Sequence, residues 1–406
     1  MIPKKRLTSS IRGVDCTLGP SLTDSRLILC VFSALISLIV AVEFLAALRR
    51  TAWQCPPTTG PVRNARLAVI IPARNEEQDL AQTLQSVLRQ EDVELEVIVV
   101  NDHSTDRSGA IADRLADADP RLKVIHDPVL SPGWLGKCNA MQKGMSMSSA
   151  DVLLFMDADI EHQPRCFITA LAEMERLELD FLSLFPQIRC ISLWENAILP
   201  SLIGAIAMFA TPRIEDPRSP DALAAGAFLM MNARVFHTLG DFETIKHEML
   251  DDVALAKLFK RNGHRVGFRL APKFLSVRLY KGNHHAFWGM TKNILEGLNG
   301  RFWLAPAVIF LPVLVFWAPV YCGVSGAIEG DLVLVTLAAT TYALQYAMIW
   351  SGKSLFQFQP VKALLFPLVA IPVLCCMVRA LYLYLLRGAV EWRGRTIRVR
   401  EARNER

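Results

Sequence analysis

Two carboxylates one residue apart, Asp157 and Asp159, close the apolar run Leu153-Leu154-Phe155-Met156 and are followed by Ile160 and Glu161. A strand that ends this way can present oxygen ligands to a hard divalent cation. Mg2+ and Mn2+ take such ligands and commonly bridge them to phosphate oxygens. The same pair also reads as an acidic turn, and D-x-D alone does not decide between the two. Its surroundings add weight. An upstream apolar run ends in Pro72-Ala73-Arg74-Asn75-Glu76-Glu77, and a second ends in Asn101-Asp102-His103-Ser104-Thr105-Asp106. Gly133-Trp134-Leu135-Gly136-Lys137-Cys138-Asn139-Ala140 stands between these and the D-x-D strand.

The elements that must hold these residues alternate along residues 67–280. The segments 67–73, 96–102, 122–127 and 151–159 are β-rich and predict buried strands ending in polar residues. The segments 76–90, 108–117 and 136–148 between them predict helices. Strand–helix alternation implies a parallel sheet covered on both faces, with ligands bound beyond the carboxyl ends of its strands. All the polar segments above fall there.

The chain of 406 residues is 52% hydrophobic, and the excess gathers near its two ends. Residues 27–48 form an apolar run interrupted only by Glu43. At about 1.5 Å per residue it crosses a hydrocarbon core of about 30 Å, and it is too long and starts too late for a cleaved signal peptide. A short arm (1–26) precedes it, and a Pro-rich polar linker (49–66) follows. Residues 191–211 are apolar but broken by Glu195, Asn196 and Pro200, which suits a helix lying in the membrane interface or a buried core helix. An amphipathic connector (286–303) leads to membrane helices within 304–386, from runs at 304–324, 332–350 and 363–386. The 325–331 loop lacks Lys and Arg, whereas 351–362 carries Lys353 and Lys362, so the positive-inside rule puts the first outside and the second inside. A third full crossing would export the Arg-rich tail (387–406) against that rule; Pro367, Pro372 and Arg379 suit a re-entrant or interfacial last run.

The net charge of +5 owes much to that tail, which reads as an inner-leaflet anchor; no fold-level signature of nucleic-acid binding accompanies it. Nine cysteines lie scattered without metal-ligand spacing, consistent with a reduced, cytosol-facing catalytic domain.

The ordered set P-A-R-N-E-E, N-D-H-S-T-D, G-W-x-G-K-x-x-A and D-A-D, across residues 67–160, resembles the family 2 glycosyltransferases. So do Ala225-Gly226-Ala227-Phe228, similar to an acceptor-side segment, and Glu248-Met249-Leu250-Asp251-Asp252, similar to the family's acidic motif. The segments 189–195, 278–280, 289–293 and 391–395 look most like the membrane branch acting on hopanoids, carotenoids and ceramide. The resemblance implies a GT-A nucleotide-sugar-binding domain at 67–285, a Rossmann-like mixed sheet of the α/β class, flanked by N-terminal and C-terminal transmembrane helices.

It also implies roles. Pro72, Ala73, Glu76 and Asp102 fall where the family binds the nucleotide, and a carboxylate there accepts hydrogen bonds from base N–H or ribose hydroxyls. Glu76 equally suits a helix start, whose dipole favours negative charge. Lys137 is a candidate for the base or diphosphate, or a solvated lysine at a helix start. Asp157 is expected on the ribose and Asp159 on Mn2+ or Mg2+, in an interchangeable assignment. Asp252 is expected to be the general base beside Asp251, although the pair also suits the N-cap of a helix beginning near Val253. Arg278 and Lys292 are candidates for neutralising the diphosphate, and His284 and His285 for the metal or for solvated surface.

The expected activity is inverting transfer of a hexose, by resemblance glucose, from a UDP-sugar to a hydroxyl of a membrane lipid. The expected location is the inner membrane, multi-pass, with the catalytic domain cytoplasmic. Alternatives are a processive polysaccharide synthase, opposed by the missing Q/R-x-x-R-W motif, and a non-catalytic membrane scaffold, opposed by the filled acidic positions.

Overall fold

The computed structural model describes residues 25–53, 65–196, 199–200, 214, 216, 218–248, 250–298, 305–383, 389–392 and 395–398. The helix α1 (Ser25–Thr51) leads into an α/β domain. Its strands are β1 (Leu67–Ala73), β2 (Leu95–Asn101), β3 (Leu122–His126), β4 (Val152–Phe155), β5 (Ile160–His162), β6 (Phe181–Phe185), β7 (Gln187–Arg189), β8 (Leu229–Asn232), β9 (Val266–Leu270) and β10 (Leu275–Val277). Its helices are α2 (Leu80–Leu88), α3 (Ser108–Ala118), α4 (Gly136–Met145), α5 (Cys166–Leu177), α6 (Ala233–Thr238) and α7 (Asp251–Arg261). Next come α8 (Asn283–Leu298), α9 (Ala305–Glu329), α10 (Leu332–Ser351), the short strand β11 (Phe356–Gln357), α11 (Ala370–Tyr382) and the hairpin β12 (Ala389–Trp392)–β13 (Arg395–Arg398).

Seven strands form the main sheet in the order β3-β2-β1-β4-β8-β6-β9. The β1, β2, β3 and β4 strands run parallel, as their alternation with helices predicts. The second half differs: β8 runs antiparallel to both β4 and β6, so the sheet is mixed rather than parallel throughout. The β8 strand returns against β4. The central strand β1 is buried on both faces. Leu67, Val69 and Ile71 face the cluster holding Leu80, Leu84 and Val87 of α2, while Ala68 and Ile70 face Ala140, Met141 and Met145 of α4. This is the period-2 division that turns an apolar run into a two-sided core. Gly144 makes the second contact close, because a Cβ there would lie 2.5 Å from Ile70 Cγ2.

A smaller sheet, β11-β7-β10-β5, sits beside the main one. Its edge strand β11 comes from beyond α9 and α10, so the catalytic domain extends past the sequence boundary at 285. The linker also shortens: α1 continues to Thr51, and Trp53 N–H donates to Leu270 O (3.3 Å) at the end of β9. Residues 54–64 of that linker, the arm before residue 25 and the tail from residue 399 lie outside the described residues.

The α1 and α10 helices are long and apolar enough to cross a membrane. The 25-residue α9 packs with them. Pro319 cannot donate to the carbonyl of Val315 one turn earlier, which would leave that oxygen bare inside the bundle. Ser33 Oγ (2.8 Å) and Gln345 Nε2 (2.9 Å) donate to it instead, one from each neighbouring helix. At the end remote from the catalytic domain, Arg26 meets Glu329 at 2.5 Å. Within the third predicted run, the described residues form a 3-10 turn (Phe366–Val369) that leads into the 13-residue α11.

Candidate active site

The site lies beyond the carboxyl ends of β1, β2 and β4, where open α/β sheets bind ligands. In register, Ala73 stands beside Asn101, so the two polar loops leave the sheet together. They are stitched across. Asn75 N–H donates to Ser104 Oγ (3.0 Å), Thr105 N–H to Asn75 Oδ1 (2.8 Å), and Glu77 N–H to Asp106 Oδ2 (3.0 Å). Asn75 (φ 55°) and His103 (φ 57°) take the left-handed conformation that lets each loop turn sharply. Pro72 lacks an N–H, but β4 pairs with β1 only as far as Ile70, so Pro72 stands past that ladder.

Asp102 is 6% exposed; its N–H donates to Ala73 O (2.8 Å), and its Oδ1 lies 3.0 Å from His103 Nδ1. Glu76 is also buried, and its N–H donates to Ser108 Oγ (2.7 Å). The helix that the sequence starts at residue 76 begins at Leu80, whose N–H donates to Glu76 O (2.9 Å). Glu76 therefore belongs to the loop, not to the helix body.

Four predicted residues converge. Lys137, in the first turn of α4, places Nζ 3.0 Å from Asp157 Oδ1 and 3.2 Å from Asp251 Oδ2. Asp252 accepts hydrogen bonds from Gly226 N–H at Oδ2 (2.9 Å) and from Val253 N–H at Oδ1 (2.8 Å). Gly226 packs closely here: a Cβ would lie 3.2 Å from Lys137 Nζ and 3.3 Å from Asp157 Oδ2, so both side chains would have to give way. The α7 helix starts at Asp251 with Leu250 at its cap, so the acidic pair occupies the first turn rather than the N-cap. Negative charge is favoured there by the exposed N–H groups.

The electrostatics follow from this packing. Burial disfavours the charge on Lys137, but Asp157 and then Asp251 and Asp252 outweigh it and hold its pKa well above the ordinary value. Burial, and next the charge of Asp251, push Asp252 up to about 6. The site thus holds a fixed cation beside a carboxylate that exchanges a proton near neutrality. Asp159 lies on the half-buried turn between β4 and β5.

Arg278 sits elsewhere. Its Nη2 is 3.0 Å from Oε1 of Glu195, a side chain with no exposed surface. Glu195 also accepts from Ile191 N–H (2.8 Å) and Gly282 N–H (3.1 Å). Burial would raise the Glu195 pKa, but Arg278 and these N–H groups hold it below its usual value. Arg278 thus answers a buried charge at the foot of α8 and does not join the Lys137 cluster. His284 Nε2 accepts from Trp288 Nε1 (2.8 Å). The side chains of His285 and Lys292 lie outside the described residues, as does most of the predicted interfacial segment 191–211.

Two contributors escaped the sequence reading. The Gly226 N–H that orients Asp252 leaves no side-chain signal beyond the small-residue segment itself. Lys260 is 4% exposed and lies on the α7 stripe of Leu255, Ala256 and Phe259, where a lysine interrupts a buried period.

Among the described residues no three His, Cys, Asp or Glu side chains form a ready-made metal cage. A Mg2+ or Mn2+ ion shared with a diphosphate needs only one or two protein carboxylates. The Asp157–Asp159 turn supplies these, and Asp251 Oδ2, 3.2 Å from Lys137 Nζ, lies beside it. The donor set therefore fits such an ion.

Residues 68–235, from within β1 to past the end of β8, match the family described as Glycosyl transferase family 2. The chain carries a family 2 glycosyl transferase domain. A 4,4'-diaponeurosporenoate glycosyltransferase of Staphylococcus aureus is 24% identical over 349 residues, 81% of this chain and 87% of that protein. One from Staphylococcus haemolyticus is 28% identical over 257 residues, 61% of this chain and 65% of that protein. Among solved structures, a mannosyltransferase from Pyrobaculum calidifontis in complex with GDP-Man and Mn2+ superposes with a TM-score of 0.51 at 16% identity, over 88% of this chain and 99% of that one. That likeness speaks for the fold, a GT-A-like mixed sheet. The catalytic chemistry of this family 2 domain is glycosyl transfer.

Proposed function

We propose that this chain is an inverting, metal-dependent glycosyltransferase that moves a hexose from a UDP-sugar to a hydroxyl of a membrane lipid, at the cytoplasmic face of the inner membrane. The observation that carries the reading is Asp252, oriented by two N–H groups and poised near neutrality beside the Lys137–Asp157 pair. Glu76 and Asp102 take the base and ribose. Lys137 faces the diphosphate and orders the acidic residues around it. Asp157 and Asp159 would hold Mn2+ or Mg2+, which when bound neutralises charge on the departing diphosphate. Asp252 takes the proton of the acceptor hydroxyl as its oxygen attacks the anomeric carbon and the bond to the diphosphate breaks. Attack opposite the leaving group inverts that carbon. Arg278 supports the site through Glu195 in this reading.

The lipid acceptor draws on the relatives named for a carotenoid acid and on the apolar helices beside the domain. Their name favours a second reading, in which the acceptor is a lipid carboxylate. A carboxylate attacks as the anion and needs no base. Membranes carrying the chain, incubated with Mn2+ and radiolabelled UDP-glucose or GDP-mannose, should place label from the uridine donor in the organic phase. Label only in long water-soluble polymer would sink the lipid reading, and transfer only from GDP-mannose would sink the uridine assignment. An Asp252→Asn variant that keeps most of its turnover would move the acceptor from hydroxyl to carboxylate.

A further inference from the structure

Lys260 lies at the C-terminal end of the helix whose first turn holds Asp251 and Asp252. Its ammonium is buried and donates to two main-chain carbonyls, Ile214 O (2.6 Å) and Asp221 O (2.7 Å). Taking an ammonium out of water costs several kcal/mol unless its donors are answered. A methionine or leucine would fill the same stripe without that cost, so packing alone does not explain a lysine here. The two carbonyls belong to the stretch that runs to Gly226, and residues 219–225 of it have no regular secondary structure. Two further contacts hold that stretch. Ala225 N–H donates to Ser183 Oγ (2.9 Å), and Gly226 N–H donates to Asp252 Oδ2 (2.9 Å). Lys260 and Asp252 thus grip the same segment from the two ends of one helix.

We propose that Lys260 is a positioning residue for glycosyl transfer: it clamps the acceptor-side stretch on α7, so that Gly226 N–H reaches Asp252 and the base keeps its aim. The inference rests on the reading of Asp252 as the base, and it adds how that base is held. A misplacement of about 1 Å at a reacting group can cost about 100-fold in rate, so a slackened stretch is felt in turnover rather than in donor affinity.

The test uses the full-length chain in detergent with UDP-glucose and Mn2+. Lys260→Met is expected to lower turnover by about 10- to 100-fold with the KM for UDP-glucose unchanged. Amide hydrogen exchange should rise in peptides covering 214–228 and stay unchanged in β1 to β3. Lys257→Met, at an exposed position one turn earlier, should match the parent in both readings. Lys260→Arg, which keeps buried donors, should recover part of the loss and serves if the methionine variant does not accumulate. Unchanged exchange over 214–228 in Lys260→Met overturns the clamp, as does a loss matched by faster exchange across the whole sheet. If Asp252→Asn retains turnover while Lys260→Met still loosens 214–228, the base reading fails and the clamp stands as a structural device alone.

Discussion

Asp252 ties rate to acidity. Its carboxyl is pushed up to about 6, first by burial and then by Asp251, and a base works only when deprotonated. Turnover should therefore climb as pH rises through about 6 and level off above it; a profile flat from pH 5 to 8 would contradict this. The apparent value belongs to the acidic pair with Lys137 rather than to one residue. The stability sign is opposite. A carboxyl whose folded pKa is raised stabilises the fold below its unfolded value of 3.8, and that contribution is lost as pH rises through about 6. Asp252→Asn should accordingly lower turnover by about 100- to 10,000-fold and raise the melting temperature at pH 8. At this scale the sequence was informative about position and less so about partnership. Asp102, Lys137, Asp157 and Asp252 each follow an apolar run or open a helix, and the structure puts them at one end of the sheet. Arg278 looked equally suitable, but its partner Glu195 lies 83 positions away. Spacing along the chain carries no trace of such a pairing.

At the scale of elements, the two loops after β1 and β2 act as one piece. Asn75 Oδ1 accepts from Thr105 N–H, and its own N–H is answered by Ser104. Asn75→Ala removes the first bond and substitutes a residue that resists φ 55°. A loss of about 1–2 kcal/mol is expected, seen as an approximately 10-fold higher KM for the nucleotide sugar with turnover at saturation preserved. Calorimetric titration with UDP and Mn2+ checks it. The strands and helices of residues 67–155 were legible to within a few residues, because buried apolar runs and amphipathic helices alternate there. The antiparallel β8 was not legible. Its first three residues, Leu229, Met230 and Met231, are buried and apolar on both faces, and such a run carries no sign of its direction.

For the whole molecule, the helix ends that meet support one reading of the membrane topology. Both α1 and α10 reach the catalytic domain, through Trp53 at β9 and through β11 at β7, while Arg26 and Glu329 close the remote end. This fits a hairpin of α9 and α10 with Lys353 and Lys362 on the catalytic side, as the charge bias predicts. If α11 does not cross, the Arg-rich tail stays on the catalytic side, in keeping with its charge. In intact cells, Ile328→Cys should label with an impermeant maleimide, whereas Lys353→Cys and Arg403→Cys should label only after the membrane is opened. Labelling of Arg403→Cys in intact cells would restore the third crossing.

The edge strand β11 also sets an order of events during translation. The β7 strand is made when about half of the protein has left the ribosome, yet its neighbour β11 exists only after α9 and α10 have been synthesised and inserted. Until then the nascent domain shows an open strand edge at Ile188 and Arg189. A domain cut free at residue 285 would carry that open edge permanently.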